Sequence, residues 1–187
     1  MAAARTTPYA LLGMLSLGGL SGYELRREFS ENVGSFWSES YGQIYPALGV
    51  LAKEGLIAGR TEPSKTGREK TAYTLTAAGR AALQKWLAVP AAKEYVRYEI
   101  LLKLFFGALA PPEQNIRTVR EFRGRYERAL AMLDGFEANL RGVLGESDDH
   151  LFYLLTVRFG QRVYSAYLAW AAEALALLAE RNEGTEA

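Results

Sequence analysis

Residues 40–57, SYGQIYPALGVLAKEGLI, constrain the fold more than any other stretch, because they combine a helix start, a helical apolar repeat and a glycine stop. Ser40 followed by Gln43 predicts a capping box, in which two side chains satisfy free backbone N–H groups of the first helical turn. Apolar residues then recur at helical spacing: Ile44, Leu48 and Leu51. Gly55 ends the run, since glycine is favoured just after the last helical residue.

Two short strands are predicted after this helix, at Leu56–Glu62 and Lys70–Thr76. The loop between them, residues 63–69, is rich in turn-forming residues and carries Lys65 and Arg68. A short helix, a glycine and a basic-tipped hairpin are typical of a winged helix-turn-helix. We therefore expect DNA binding through two segments, a recognition helix at 41–54 and a wing at 57–75.

Five short motifs follow in order along the first half of the chain: Tyr9–Gly13, Ser21–Leu25, Ser40-x-Gly42-x-Ile44-Tyr45-Pro46-x-Leu48, Gly55-Leu56-Ile57 and Tyr73-x-Leu75-Thr76-x-x-Gly79. With these residues the chain resembles the PadR family of bacterial transcriptional regulators, from Tyr9 to about Leu87. The helical remainder, with Leu101–Phe106, is similar to the longer-tailed branch of that family. The resemblance implies DNA binding, dimerisation through C-terminal helices, most often repression, and in some members a phenolic or drug-like effector.

The rest of the first half is predicted to be helical. Helices are expected at three places: about Thr7–Leu17, Ser21 to about Asn32 behind a capping box with Glu24, and Thr76 to about Val89. Tyr23, Leu25 and Phe29 are expected in the core. Pro90 marks a boundary between a DNA-binding domain at 1–90 and a helical dimerisation domain at 91–187.

The second half predicts helices at Glu94–Leu109, from Pro112 to about Gly145, and at about Asp148–Glu183. The middle helix carries an unbroken 3.5-residue apolar repeat, which is typical of a seam along a partner helix. The last helix is apolar almost all round, so it requires cover on more than one side. We therefore expect a mainly α protein with a small β-hairpin wing and a C-terminal antiparallel helical domain that forms a homodimer. The expected interface residues are Val119, Phe122, Tyr126, Leu133, Phe136, Leu140, Leu151, Leu155, Phe159, Tyr167 and Trp170.

The predicted DNA contacts lie on the recognition helix and the wing: Ser40, Tyr41, Gln43, Tyr45, Pro46, Lys53, Lys65, Arg68 and Lys70. A carboxamide such as that of Gln43 can pair with adenine in the major groove, and Lys53 can contact phosphate. Arg68 is suited to a narrow minor groove. The alternative is a structural winged helix, in which Gln43 only caps the helix and the wing is a solvated hairpin.

Composition narrows the function classes. The net charge is only +1, but residues 1–90 carry 10 Lys and Arg against 7 Asp and Glu. The excess of positive charge therefore lies on the predicted DNA-binding domain. There are no cysteines, and no apolar run approaches the roughly 18 residues of a membrane span. His150 is the only histidine; beside Asp148 and Asp149 it forms no closed metal shell. We expect a cytoplasmic protein that is not an enzyme and needs no cofactor or metal.

Aromatic residues make up 12% of the chain, so a small aromatic effector is a further candidate partner. A small aromatic effector could lie near Trp86 or Trp170, between the two domains, although aromatics at helical spacing more often form a core or a dimer interface. Two competing functions also remain compatible with the sequence. One is a winged-helix protein–protein interaction module that binds no operator DNA, and the other is a ligand-binding scaffold without a DNA role.

Overall fold

The computed structural model of the chain describes residues 3–34, 36–37, 41–63, 69–94 and 96–183. The chain divides into two compact units, Met1–Lys93 and Glu94–Ala187, called here the N-terminal and C-terminal units. The boundary predicted at Pro90 lies close to this division. Among the described residues, no helix combines the length and hydrophobicity that crossing a membrane requires.

The described residues of the N-terminal unit form four α-helices and a small antiparallel sheet. Its elements are α1 (Ala3–Leu17), β1 (Leu20–Ser21), α2 (Gly22–Glu28), a π-helical turn (Phe29–Val33), α3 (Tyr41–Lys53), β2 (Ile57–Pro63), β3 (Glu69–Leu75) and α4 (Ala77–Leu87). The strand order is β1-β3-β2, with Ile57 opposite Leu75 and Glu62 opposite Lys70. This is the expected mainly α winged helix-turn-helix; the short strand β1 was not predicted.

The core of the N-terminal unit forms where α1, α2 and α3 meet. Its fully buried side chains are Leu11, Leu12, Leu25, Ile44, Leu48 and Leu51. The apolar repeat of α3 therefore faces inward, as its spacing predicts, and the opposite face of the helix is left open. Tyr23 differs from the expectation: it is 63% exposed, because its side chain points away from the core face that Leu25 and Phe29 occupy on the same segment.

The junction between wing and α4 explains the Leu-Thr-x-x-Gly motif. The Thr76 hydroxyl accepts a hydrogen bond from the Gly79 backbone N–H at 3.0 Å and so caps α4. The same hydroxyl lies 2.8 Å from the Gly55 carbonyl oxygen, so it also ties α4 to the end of α3. Gly55 has φ of 71°, a left-handed conformation that glycine adopts without strain, and this turns the chain from α3 into β2.

The C-terminal unit has helices and no strand among its described residues. It contains α5 (Glu99–Phe105), a 3₁₀ turn (Gly107–Leu109), α6 (Pro112–Val143) and α7 (Asp149–Glu183). The helix predicted at Glu94–Leu109 is therefore shorter than expected, and the 3₁₀ turn replaces its end. The buried Asn115 side chain stabilises that turn by donating a hydrogen bond to the Gly107 carbonyl at 2.8 Å.

The apolar seam of α6 faces α7 of the same chain, so three of the predicted dimer-interface residues are buried within one protomer. Val119 and Phe122 are buried in a cluster with Ala171 of α7. Leu133 is 2% exposed and packs over Gly160, where a Cβ atom would lie only 2.7 Å from Leu133 Cδ1. These three side chains are covered within one protomer, because α7 of the same chain packs along the apolar repeat of α6.

Candidate nucleic-acid interface

The outward face of α3 is open along its described residues, from Gly42 to Lys53. Gln43, Tyr45, Pro46 and Lys53 are all exposed, and Gly42 and Gly49 leave the backbone accessible between them. A Cβ atom at position 49 would meet nothing within 4 Å, so no neighbouring group occupies this face there. A helix with this shape can approach a groove closely, while one carboxamide and one ammonium group provide base and phosphate contacts.

Lys53 lies in the last turn of α3, where a basic side chain also complements the helix dipole. Within the described part of the chain no carboxylate forms an ion pair with it. Its ammonium group is therefore suited to bind phosphate.

Tyr45 has a structural role in addition to its exposure. Its ring packs against the backbone of Gly22 at the start of α2, where a Cβ atom would lie 2.7 Å from Tyr45 Cε1. The ring therefore holds α2 and α3 together, and Gly22 permits this approach.

Lys70, one of the predicted DNA contacts, forms an ion pair within the protein. Its ammonium Nζ lies 2.9 Å from Glu24 Oε1. Glu24 in turn forms the capping box of α2 with Ser21, as the sequence predicts. Hydrogen bonds from the Ser21 hydroxyl and backbone N–H, together with Lys70, lower the pKa of Glu24 from 4.5 to about 2.

Four predicted contacts cannot be placed. Ser40, Lys65 and Arg68 lie outside the described residues. Tyr41 begins α3, but its side chain is also outside the description. These residues stay predictions of the sequence.

The two tryptophans of the predicted effector site have separate surroundings. Trp86 stacks on Tyr9 of the N-terminal unit, with ring centroids 5.0 Å apart and planes 6° from parallel. Trp170 packs edge-to-face on Phe122 in the C-terminal unit, at 5.4 Å and 84°. Each therefore has an aromatic partner within its own unit.

Trp170 also lines a shallow aromatic pocket of about 160 Å³ in the C-terminal unit. Its lining is Tyr98, Ile100, Leu101, Phe122, Tyr167 and Trp170. The hydroxyls of Tyr98 and Tyr167 hydrogen-bond to each other. Burial, and then this bond, raise the pKa of Tyr167. One of the two hydroxyls donates to the other, so one O–H remains to donate to a ligand.

The remaining predicted interface residues differ in their exposure. Tyr126, Phe136, Leu140, Tyr167 and Trp170 are half-buried within the protomer. In contrast, Leu151, Leu155 and Phe159 are more than half exposed near the start of α7, at 53%, 56% and 67%. An exposed apolar cluster of this kind is typical of an interaction surface.

No metal centre is indicated by the described residues, where no group of three or more His, Cys, Asp or Glu side chains is placed to hold an ion. His150 has a structural contact instead. Its Nδ1 lies 2.6 Å from the Val143 carbonyl oxygen, which can only accept, so the proton lies on Nδ1 and the ring ties the start of α7 to the end of α6.

A three-stranded winged helix-turn-helix with an open face on α3 is typical of DNA-binding proteins. Comparison with known proteins agrees with this class. Residues 11–85 match the Transcriptional regulator PadR-like family and residues 96–179 match the Virulence activator alpha C-term family. The negative transcriptional regulator PadR of Bacillus subtilis (strain 168) is 32% identical over 93% of this chain and 98% of its own length. The chain therefore belongs to the PadR-like family of transcriptional regulators, which are not enzymes.

Solved structures show the same likeness over nearly the whole chain. The crystal structure of Bacillus subtilis PadR in complex with operator DNA has a TM-score of 0.76 at 31% identity and covers 91% of this chain and 98% of that one. A second crystal structure, of the same protein in complex with p-coumaric acid, has a TM-score of 0.71 at 30% identity, covering 91% and 96%.

Proposed function

We propose that this regulator is a homodimeric, cytoplasmic repressor that binds a roughly palindromic operator, with one α3 helix in the major groove of each half-site. The observation that carries the proposal is the open face of α3, on which Gln43 and Lys53 are exposed while the apolar repeat is buried behind them. Repression is supported by the name of the Bacillus subtilis relative, a negative transcriptional regulator.

Selection of the operator from random DNA, followed by binding titrations over a range of salt concentrations, tests the DNA contacts. Lys53→Ala is expected to weaken binding to all sequences and to reduce the slope of log K against log salt by about one unit. Gln43→Ala is expected to relax the preference at one base pair, at about 1–3 kcal/mol. Lys103→Ala is a matched control, because that lysine pairs with Glu99 in the C-terminal unit. If neither α3 variant differs from the parent, α3 does not read DNA.

The dimer is proposed to form through the exposed apolar cluster at the start of α7, Leu151, Leu155 and Phe159. Two half-sites one helical turn apart require two α3 helices held at a fixed spacing, which a C2 dimer provides. Light scattering at micromolar concentration is expected to return twice the chain mass. A monomer mass would exclude the proposed assembly and with it the palindromic operator.

A small aromatic ligand is proposed as the effector, bound against Trp170 in the aromatic pocket. The complex of the Bacillus subtilis relative with p-coumaric acid supports this ligand class. A planar ring suits the apolar walls, and a carboxylate or phenol suits the Tyr98 and Tyr167 hydroxyls. Phenolic acids are expected to quench Trp170 fluorescence and release the operator. Trp86→Phe is the control that removes the other effector candidate, and quenching that disappears with Trp86 would place the ligand elsewhere.

A further inference from the structure

A single carboxylate joins the first turn of α2 to the wing strand β3, near the tip of the wing. Glu24 Oε2 accepts hydrogen bonds from the Ser21 backbone N–H at 2.8 Å and from the Ser21 hydroxyl at 2.7 Å. The other oxygen, Oε1, lies 2.9 Å from Lys70 Nζ, a partner 46 residues further along the chain. The two oxygens of Glu24 thus have different partners on two different elements.

The Glu24–Lys70 pair lies where it can hold the wing in place relative to α2. β3 is the central strand of the sheet, and its link to β1 is short: Leu20 lies opposite Tyr73 and Ser21 opposite Ala72. Side chains two residues apart on a strand point to the same side, so Lys70 continues along β3 from Ala72 toward the tip of the wing. The Glu24–Lys70 bond therefore extends the attachment of the wing to α2 beyond the end of the β1 ladder.

The ion pair also determines what Lys70 can do. Its side chain is 37% exposed and that of Glu24 is 29% exposed, so both charges are partly removed from solvent. A phosphate that bound Lys70 would either displace Glu24, leaving an unpaired carboxylate near the tip of the wing, or bring its own negative charge close to that carboxylate. Either arrangement gives little net affinity.

We propose that Glu24 and Lys70 form a positioning pair that fixes the wing relative to α2, and through α2 relative to the recognition helix, and that Lys70 does not contact phosphate. This inference rests on the proposed DNA binding by α3 and the wing. Lys70 then holds the wing and the recognition helix in position. The phosphates of the DNA are bound by other basic residues, such as Lys53.

Three variants separate positioning from phosphate contact. Glu24→Gln keeps an oxygen that can accept from Ser21, because glutamine also forms capping boxes, and removes only the charge that holds Lys70. Lys70→Met removes the ammonium group, and Lys70→Arg restores a cation. Glu24→Gln and Lys70→Met are each expected to weaken operator binding by about two- to fivefold, the effect of losing a partly exposed ion pair. The salt slope is expected to stay unchanged, the double variant to bind no more weakly than either single one, and Lys70→Arg to bind like the parent.

Opposite results are expected if Lys70 binds phosphate. Glu24→Gln would then free the ammonium group and tighten binding, and Lys70→Met would reduce the salt slope by about one unit, as Lys53→Ala should. Either result overturns the inference, as does unchanged affinity in both variants. Thermal unfolding of each variant, followed by circular dichroism, shows whether a loss of affinity comes from a loss of fold. A parent protein that selects no operator would instead refute the proposed function.

Discussion

Replacing Gly79 with alanine tests the close packing of α4 on the wing. A Cβ atom at this position would overlap the Leu56 carbonyl oxygen, and it would lie 2.8 Å from Leu75 Cδ1 and 3.0 Å from the Leu56 carbonyl carbon. Two carbon atoms attract each other best at a separation of about 3.5 Å or more. The first turn of α4 would therefore have to move away from the end of α3, against the hydrogen bonds of the Thr76 cap. The Leu56 atoms belong to the backbone and cannot rotate aside.

Overpacking of this kind destabilises a protein by about 1–3 kcal/mol, and the backbone clash predicts a value at the upper end, of about 3 kcal/mol. The better helix propensity of alanine recovers less than about 1 kcal/mol. We expect a net loss of about 2 kcal/mol in the free energy of unfolding, measured by urea denaturation. Gly13→Ala is the matched control, because a Cβ there meets nothing within 4 Å, and it should stabilise α1 by about 0.5–1 kcal/mol. A Gly79→Ala variant as stable as the parent would refute the packing argument.

Three further outcomes follow from burial and charge. Leu133→Arg should unfold the C-terminal unit, at about 3 kcal/mol or more for an unpaired buried charge, whereas Leu155→Arg should leave its helical circular dichroism intact and dissociate the dimer in light scattering. Gly49→Ala should raise the thermal midpoint, since its Cβ meets nothing in the free protein, but weaken operator binding if the α3 backbone approaches DNA closely. Because the folded pKa of Glu24 is lowered from 4.5 to about 2, its stabilising contribution is complete above pH 4.5 and lost as the pH falls toward 2. Urea unfolding at a series of pH values should therefore show a smaller acid loss of stability for Glu24→Gln than for the parent.

Local features of the fold were predictable because each depends on residues close in sequence. The Ser21–Glu24 capping box, the Thr76 cap and the inward face of α3 need only spacings of three or four residues. The wing strands were predicted to within one residue, since a loop rich in turn-forming residues separates them. The end of α5 was missed, because a buried Asn115 from the next helix determines where the 3₁₀ turn forms.

Features that depend on distant partners were not predictable in the same way. The seam of α6 correctly indicated a partner helix, but an apolar repeat does not say whether the partner belongs to the same chain, and here it is α7. No local pattern connects Lys70 with Glu24, so a lysine on a wing was interpreted as a DNA contact. Tyr23 was expected in the core together with Leu25 and Phe29, yet the helical phase of Leu25 directs it outward.

The order of elements in the N-terminal unit has a consequence for synthesis on the ribosome. α1 is made first, yet it packs against α3, α4 and β3, which are completed only when Leu87 has been added. Its buried Leu11 and Leu12 therefore acquire their last partners only after some 70 further residues of translation, several seconds at about 5–20 residues per second. The hairpin of α6 and α7, in contrast, pairs segments joined by a short turn and can close as it emerges. A nascent chain stalled before α4 is the species in which chaperones would find an exposed apolar first helix.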